Sequence, residues 1–211
     1  MTQQLMTSPD AALSRPNIKE DRHFVTALAR GLELLACFRS GDKLLGNQEL
    51  ADFSHTMVSL GMRDRLSMIY VENCRSQAAL TLRLDVGARI PVASTAMGRA
   101  YLAEVSSNER NDILERVRDL DELAWPALRD RVMRAVDEYH TLGCCTSFGD
   151  WQPDVNAIAV AFRPTENAAP LSINCGGPAF NLSREFLLEE VRPRLIELVA
   201  QLRRPSVAHY G

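Results

Sequence analysis

The residues of this chain that could do chemistry are four histidines, five cysteines, a glycine at the head of an apolar segment and a paired-glycine turn. His23, His55, His140 and His209 are scattered, and no HExxH, GxSxG, Walker or dinucleotide-type glycine pattern accompanies them. His140 falls near the C-terminal end of a predicted helix, where a favourable helix-dipole or surface role explains it better than catalysis. Cys37, Cys74, Cys144, Cys145 and Cys175 are odd in number and lack CxxC spacing, which speaks against a disulfide framework or a zinc site and for reduced thiols. Cys144-Cys145 open a predicted strand, so one of the two should face inward as a small hydrophobe; redox sensing is the sharper alternative. Gly98, in "GRAYLAEV", could bring a helix N-terminus close to an anion. In "NCGGP", Asn174 to Pro178, the glycines permit either a sharp strand-ending turn or close backbone approach to a ligand. Asp150, Trp151 and Gln152 form a polar loop with one aromatic, suited to the lip of a pocket or to an exposed hairpin connection. No acid, base, nucleophile or metal cluster converges, so the expected protein is not an enzyme and carries no cofactor.

The elements that would position these residues alternate in kind. Residues 1–22 contain Pro9 and Pro16 and no periodicity, and are expected to be a disordered arm. From Phe24 the positions Val25, Leu28, Leu32 and Leu35 share a helical face that should end near Ser40-Gly41, and Asn47 is a candidate N-cap for a short second helix. "TMVSLGMRD", "LSMIYVENC" and "AALTLRLDV" then read as consecutive antiparallel strands separated by polar turns. "STAMGRAYLAEV" returns to helical spacing, and Ser106 with Glu109 forms a capping box for the next helix. A longer helix follows Pro126 and should stop at Gly143. "CCTSFGD", "VNAIAVAFR" and "PLSINCGG" are three further strands. The final segment places Leu187, Val191, Leu195, Leu198 and Leu202 on one face, with a bend expected at Pro193. An α+β fold follows, an antiparallel sheet with helices packed against it.

The chain has 211 residues, 46% of them hydrophobic and 24% charged, with a formal net charge of −3. That length suits one domain with an appendage, and the charge provides no basic stripe of the kind nucleic-acid binding proteins show. No window resembles a membrane span or a signal peptide, so the expectation is a cytoplasmic protein without a membrane partner.

Four segments in order, "VSLGMRDRLSMIYVENCRS" (Val58 to Ser76), "PVASTAMGRAYLAE" (Pro91 to Glu104), "GCCTSFGDWQPDVNAIAVAF" (Gly143 to Phe162) and "LSINCGGPAFNLSREFL" (Leu171 to Leu187), resemble the ligand-sensing domain of the IclR family of bacterial transcriptional regulators. The segment "FVTALARGLELLACFRSGDKLLGNQELA" resembles that family's opening, the first helix and the start of the second in a winged helix-turn-helix. The resemblance implies residues 23–48 as a remnant of the DNA-binding domain and residues 49–205 as a GAF-like effector-binding domain. Several dozen residues that relatives place after "ELA" have no counterpart here. Gln48 to Ala51 fits both the second DNA-binding helix and the first helix of the sensing domain, as an in-frame deletion between two look-alike stretches would leave it.

The resemblance further implies a small organic acid effector between the sheet and "STAMG". Ala96 and Met97 would face it, with Leu82 and Ile90 as apolar walls, and Ser147, Val155, Ala157, Asn174 and Gly176 opposite. Relatives have an acidic residue, a cysteine and a serine where this chain has Ser147, Ala157 and Gly176, so the pocket should be less polar and suit an aromatic or partly apolar acid. A homodimer or homotetramer is implied. DNA is the family's other partner, but a recognition helix for the major groove lacks sequence here. The expected function is a ligand-binding transcriptional regulator impaired in DNA recognition. The alternative is a stand-alone sensor or a dominant-negative subunit that pairs with an intact regulator.

Overall fold

The computed structural model describes residues 45–76 and 84–203. The predicted arm, the helix over Val25 to Leu35, His23, Cys37, His209 and Leu82 lie outside the described residues. Among the described residues six strands form one antiparallel sheet: β1 (Met57–Asp64), β2 (Ser67–Arg75), β3 (Arg89–Pro91), β4 (Cys145–Phe148), β5 (Val155–Phe162) and β6 (Leu171–Pro178), in the order β3-β2-β1-β6-β5-β4. Helix α1 (Leu45–Ser54) and the C-terminal helical segment pack on one face of the sheet. On the other lies α2 (Ala96–Glu104), with α3 (Ser107–Arg118) and α4 (Trp125–Leu142) continuing that layer. Helices on both faces explain why β5 is apolar at consecutive positions, Ile158 to Phe162 being buried throughout. This is the α+β arrangement that the sequence pattern predicts, of the GAF-like kind that the family resemblance implies.

Local capping sets the helix ends. Thr95 Oγ1 accepts from the Gly98 amide at 3.2 Å and starts α2, eight of whose nine residues are buried. A helix enclosed on all sides needs small or apolar residues all round, and "AMGRAYLAE" supplies them with the exceptions of Arg99 and the partly exposed terminal Glu104. Ser106 Oγ accepts from the Glu109 amide at 3.2 Å, one half of the expected capping box. The Glu109 carboxylate instead accepts from Tyr101 Oη at 2.9 Å and from Arg63 at 3.3 Å, which ties α3 to α2 and to the β1–β2 hairpin. Gly143, at φ 72°, closes α4 in the left-handed conformation that glycine adopts without strain.

Three local expectations are corrected. Asn47 does not cap a helix: α1 begins at Leu45, and Asn47 sits inside it at 6% exposure. Burial of Leu50 and Ala51 against the sheet sets the start of α1, overriding the capping preference. The described end of the third predicted strand, Leu84 to Val86, is loop and turn, and the edge strand is the three-residue β3 further on. Cys144 and Cys145 are both buried, at 0% and 1%, because α4 covers one side of the β4 entry and the C-terminal helix the other. Burial pushes the Cys144 thiol up to about 11 and raises Cys145 further, so neither is a ready thiolate.

At Pro193 the outcome is a change of helix type. A short α5 (Arg184–Phe186) runs into a π-helical turn at Leu187–Val191, where the Arg192 amide reaches back to Leu187 O, and α6 (Arg192–Leu202) resumes with the proline in its first turn. The proline has no N–H to donate, and the wider turn absorbs the missing bond. Leu187, Val191, Leu195 and Val199 face the sheet, while Leu198 and Leu202 are only partly covered.

Candidate functional site

Register across four strands builds the floor of a pocket. Met57 pairs with Gly176, Gly176 with Ala157, and Ala157 with Ser147, so one cross-strand row on one face of the sheet reads Met, Gly, Ala, Ser. Neighbouring strands are about 4.8 Å apart, so the three small residues leave a shallow trough. The N-terminal turn of α2 lies over it. Tyr70, Ile90, Thr95, Ala96, Met97, Trp151, Val155 and Asn174 complete the lining. Eight of the sequence-selected residues, Ile90, Ala96, Met97, Ser147, Val155, Ala157, Asn174 and Gly176, therefore surround one cavity; Leu82 lies outside the described residues.

Close approach of α2 to the sheet depends on two glycines. A Cβ at Gly98 would run into the backbone of Val92, and a Cβ at Gly61 would run into the Met97 sulfur. The sequence had suggested that Gly98 lets a helix terminus meet an anion; its observed role is to seat the helix against the chain that precedes it. At that terminus the Gly98 amide is taken by Thr95 Oγ1 and the Arg99 amide by Thr95 O. Ala96 and Met97, in the first turn and too early for an intrahelical acceptor, both line the trough, at the end of the helix that carries its positive partial charge.

The polar inventory is small. Ser147 Oγ donates to Ser94 O at 3.2 Å, and Thr95 Oγ1 donates to Pro91 O at 2.7 Å. Asn174, at 4% exposure, keeps Oδ1 without a partner while its side chain bonds Tyr70. Burial raises the Tyr70 hydroxyl to about 12, the Asn174 bond opposing it, so Tyr70 is a neutral phenol at any ordinary pH. Among the described residues the lining holds no carboxylate, histidine or cysteine. His55 and His140 are exposed elsewhere. The described lining is suited to binding and orienting a molecule.

Free space is limited to about 20 Å³, room for a water molecule and far short of the roughly 150 Å³ that holds a benzene ring. Met57 and Met97 are fully enclosed, and Trp151, half-buried, closes the side. Methionine side chains repack readily, so the volume is set by adaptable walls. Met57, Tyr70, Thr95 and Trp151 join the lining without having been selected from the sequence, although the Trp151 loop had been marked as a potential lip. Alternation along β1 and β2 could have put Met57 and Tyr70 on one face; only the pairing register puts that face beside Asn174.

The buried phenols give the domain an alkaline limit. Tyr139 is likewise pushed up to about 12 by burial, its bond with the Ala161 backbone opposing the shift. Unfolded tyrosine titrates near 10. A folded-state pKa above the unfolded one contributes stability that is complete below about pH 10 and is lost as pH climbs through about 12, with Cys144 extending the onset to about pH 9. Urea midpoints should accordingly be flat up to about pH 9 and fall steadily above it, tracking tyrosinate absorbance. A midpoint still level at the top of that range would contradict the buried placement of Tyr70 and Tyr139.

Residues 45–204 match the family described as bacterial transcriptional regulator IclR, C-terminal. The chain belongs to the IclR family. An IclR-family regulator from Brucella abortus has the same fold at TM-score 0.73 and 34% identity, over 92% of this chain and 71% of that one. The regulator TsaQ1/TsaQ2 of Comamonas testosteroni is 29% identical over 186 residues, 83% of this chain and 66% of the relative. The inducer-binding domain of PobR from Acinetobacter, solved as a double mutant with 3-hydroxybenzoic acid, shares the fold at TM-score 0.62 and 18% identity, covering 77% of this chain and 97% of that one. The chain thus spans just under two thirds of the TsaQ1/TsaQ2 length. These relatives are transcriptional regulators, not enzymes. No helix among the described residues is long and apolar enough to cross a membrane.

Proposed function

We propose that this IclR-family chain is a regulator whose trough beneath α2 takes a small organic acid with an aromatic or otherwise apolar body. One observation carries this: a single cavity combines the positive terminus of α2, with the Ala96 and Met97 amides, a buried acceptor at Asn174 Oδ1, and walls of Met57, Ile90, Met97, Val155 and Ala157. The helix terminus suits a carboxylate, the walls suit carbon. The PobR domain, which shares this fold, is described with a hydroxylated benzoic acid, which supports an aromatic acid here. Calorimetric titration of the full chain with benzoate, 3-hydroxybenzoate and glyoxylate tests the reading. Binding of a benzoate and not of glyoxylate is expected; tight binding of glyoxylate alone would overturn it.

Specific DNA recognition by the chain is proposed to be impaired. Gln48 to Ala51, which resemble the second DNA-binding helix as much as the sensing domain, belong to α1, where Leu50 and Ala51 are buried against the sheet. Residues spent on that packing are not free to lead into a recognition helix. The same observation favours a second reading, a stand-alone sensor or a dominant-negative subunit that hetero-oligomerises with an intact regulator; by itself the chain is proposed to form a homodimer or homotetramer. A gel-shift with the promoter beside the gene separates them: sequence-specific, salt-resistant retention by the pure chain would overturn impairment, and co-purification with an intact relative would favour the second reading. A cytoplasmic location is proposed with either.

A further inference from the structure

Arg99 is the one buried charged residue on helix α2, at 3% exposure; Glu104, at the helix end, is partly exposed. Its guanidinium connects three segments whose neighbouring residues Thr95, Ser147 and Trp151 line the cavity. Nε donates to Ala93 O at 3.1 Å in the segment leading into α2, and Nη1 donates to Thr146 O at 3.0 Å on edge strand β4 and to Asp150 Oδ2 at 2.6 Å in the β4–β5 loop. The next residue in that loop is Trp151, whose ring lines the pocket. At its base the loop is closed by the Gly149 amide on Val155 O and the Val155 amide on Gln152 O, both at 3.0 Å. Those two bonds fix the ends of the loop. The tip, Asp150-Trp151, is fixed by Arg99 and by the packing of the indole.

We propose that the Arg99–Asp150 ion pair is the latch of the pocket, holding the Trp151 wall against the first turn of α2. Arg99 is therefore a positioning residue for any ligand at Ala96 and Met97, carried on the same helix as those two amides. The proposal rests on the cavity's being the ligand site. A ring-sized molecule cannot enter about 20 Å³ with Trp151 in place, so its entry must move the indole and load the neighbouring ion pair. The pair is suited to open and reclose. It is made through one guanidinium nitrogen instead of a bidentate fork, and the Asp150 side chain, at 28% exposure, can turn to water. Arg99 Nη2 is buried without a partner, so the arginine end is the costlier one to release. Movement is accordingly expected in the loop, with α2 staying put.

The chain has two tryptophans, and Trp125→Phe leaves Trp151 as the only indole reporter. In that background Asp150→Asn should raise acrylamide quenching of Trp151 by about twofold or more with little change in far-ultraviolet circular dichroism, as local opening without global unfolding requires. Asp150→Glu, which keeps the charge and can still reach the guanidinium, should restore most of the protection. Unchanged quenching in Asp150→Asn overturns the latch, as does a rise accompanied by loss of helical signal or one that Asp150→Glu fails to reverse. Benzoate titration of the same proteins keeps the two ideas apart: if no protein binds it, the proposed ligand class falls, whereas the quenching comparison, made without ligand, still decides the latch.

Discussion

Replacing Gly98 by alanine is expected to destabilise the domain by about 3 kcal/mol, even though alanine is the better helix former by about 1 kcal/mol. The two effects oppose each other, and their sizes decide the sign. Gly98 has no positive φ to accommodate, so its backbone conformation would favour the substitution. Its α-carbon, however, lies so close to Val92 that an added methyl would overlap three backbone atoms of that residue, none of which can rotate away. Either α2 lifts off or the Val92 segment shifts. Both partners are buried, and both adjoin the pocket: Val92 follows β3, which supplies Ile90, and α2 supplies Ala96 and Met97. For a chain of this size about 3 kcal/mol lowers Tm by roughly 6 to 12 °C, and binding in the trough should be lost at temperatures where the variant is still folded. Calorimetry on the variant checks both. A Tm at or above that of the parent would mean that the helix does not sit against Val92.

Met97→Ala should separate stability from binding. The Met97 side chain is fully buried, with its sulfur over Gly61, and truncation leaves a cavity in a packed layer, costing about 2 to 4 kcal/mol. The same truncation enlarges a site whose free volume is about 20 Å³. In the parent, a ligand with a ring has to displace Met97 as well as Trp151, and that displacement is subtracted from its affinity. Removing the side chain removes that opposing cost, and benzoate should bind about tenfold more tightly, equivalent to roughly 1.4 kcal/mol. A two-carbon acid gains nothing from the added space. Lower thermal stability together with tighter benzoate binding is therefore the expected pair of results. Lower stability with unchanged benzoate affinity would place the ring elsewhere.

How much of this was legible in the chain depends on the range over which each interaction acts. Ser106, Pro126 and Gly143 mark helix ends through bonds and dihedral preferences that span four residues or fewer, and the elements they bound lie where the pattern puts them. The apolar runs of β1, β2, β4, β5 and β6 announced strands for the same reason. Where a local preference met a tertiary demand, the tertiary one prevailed. Asn47 has a capping side chain, but burying the α1 residues beyond it requires the helix to begin earlier. The Cys144-Cys145 pair alternates along a strand as expected, yet helical cover on both faces buries both thiols.

By itself, the sequence determined the α+β class, the helix ends at Ser106 and Gly143 and, through four ordered motifs, membership of the IclR family. Only the tertiary structure decided the site. The row from Met57 through Gly176 and Ala157 to Ser147 joins residues up to 119 positions apart in the chain, and a one-residue slip in any pairing would turn part of it to the other face of the sheet. No local interaction carries that register. It is selected by the collective burial of both faces under their helices, which also brings Arg99 to Asp150 and Trp151 to the mouth of the pocket.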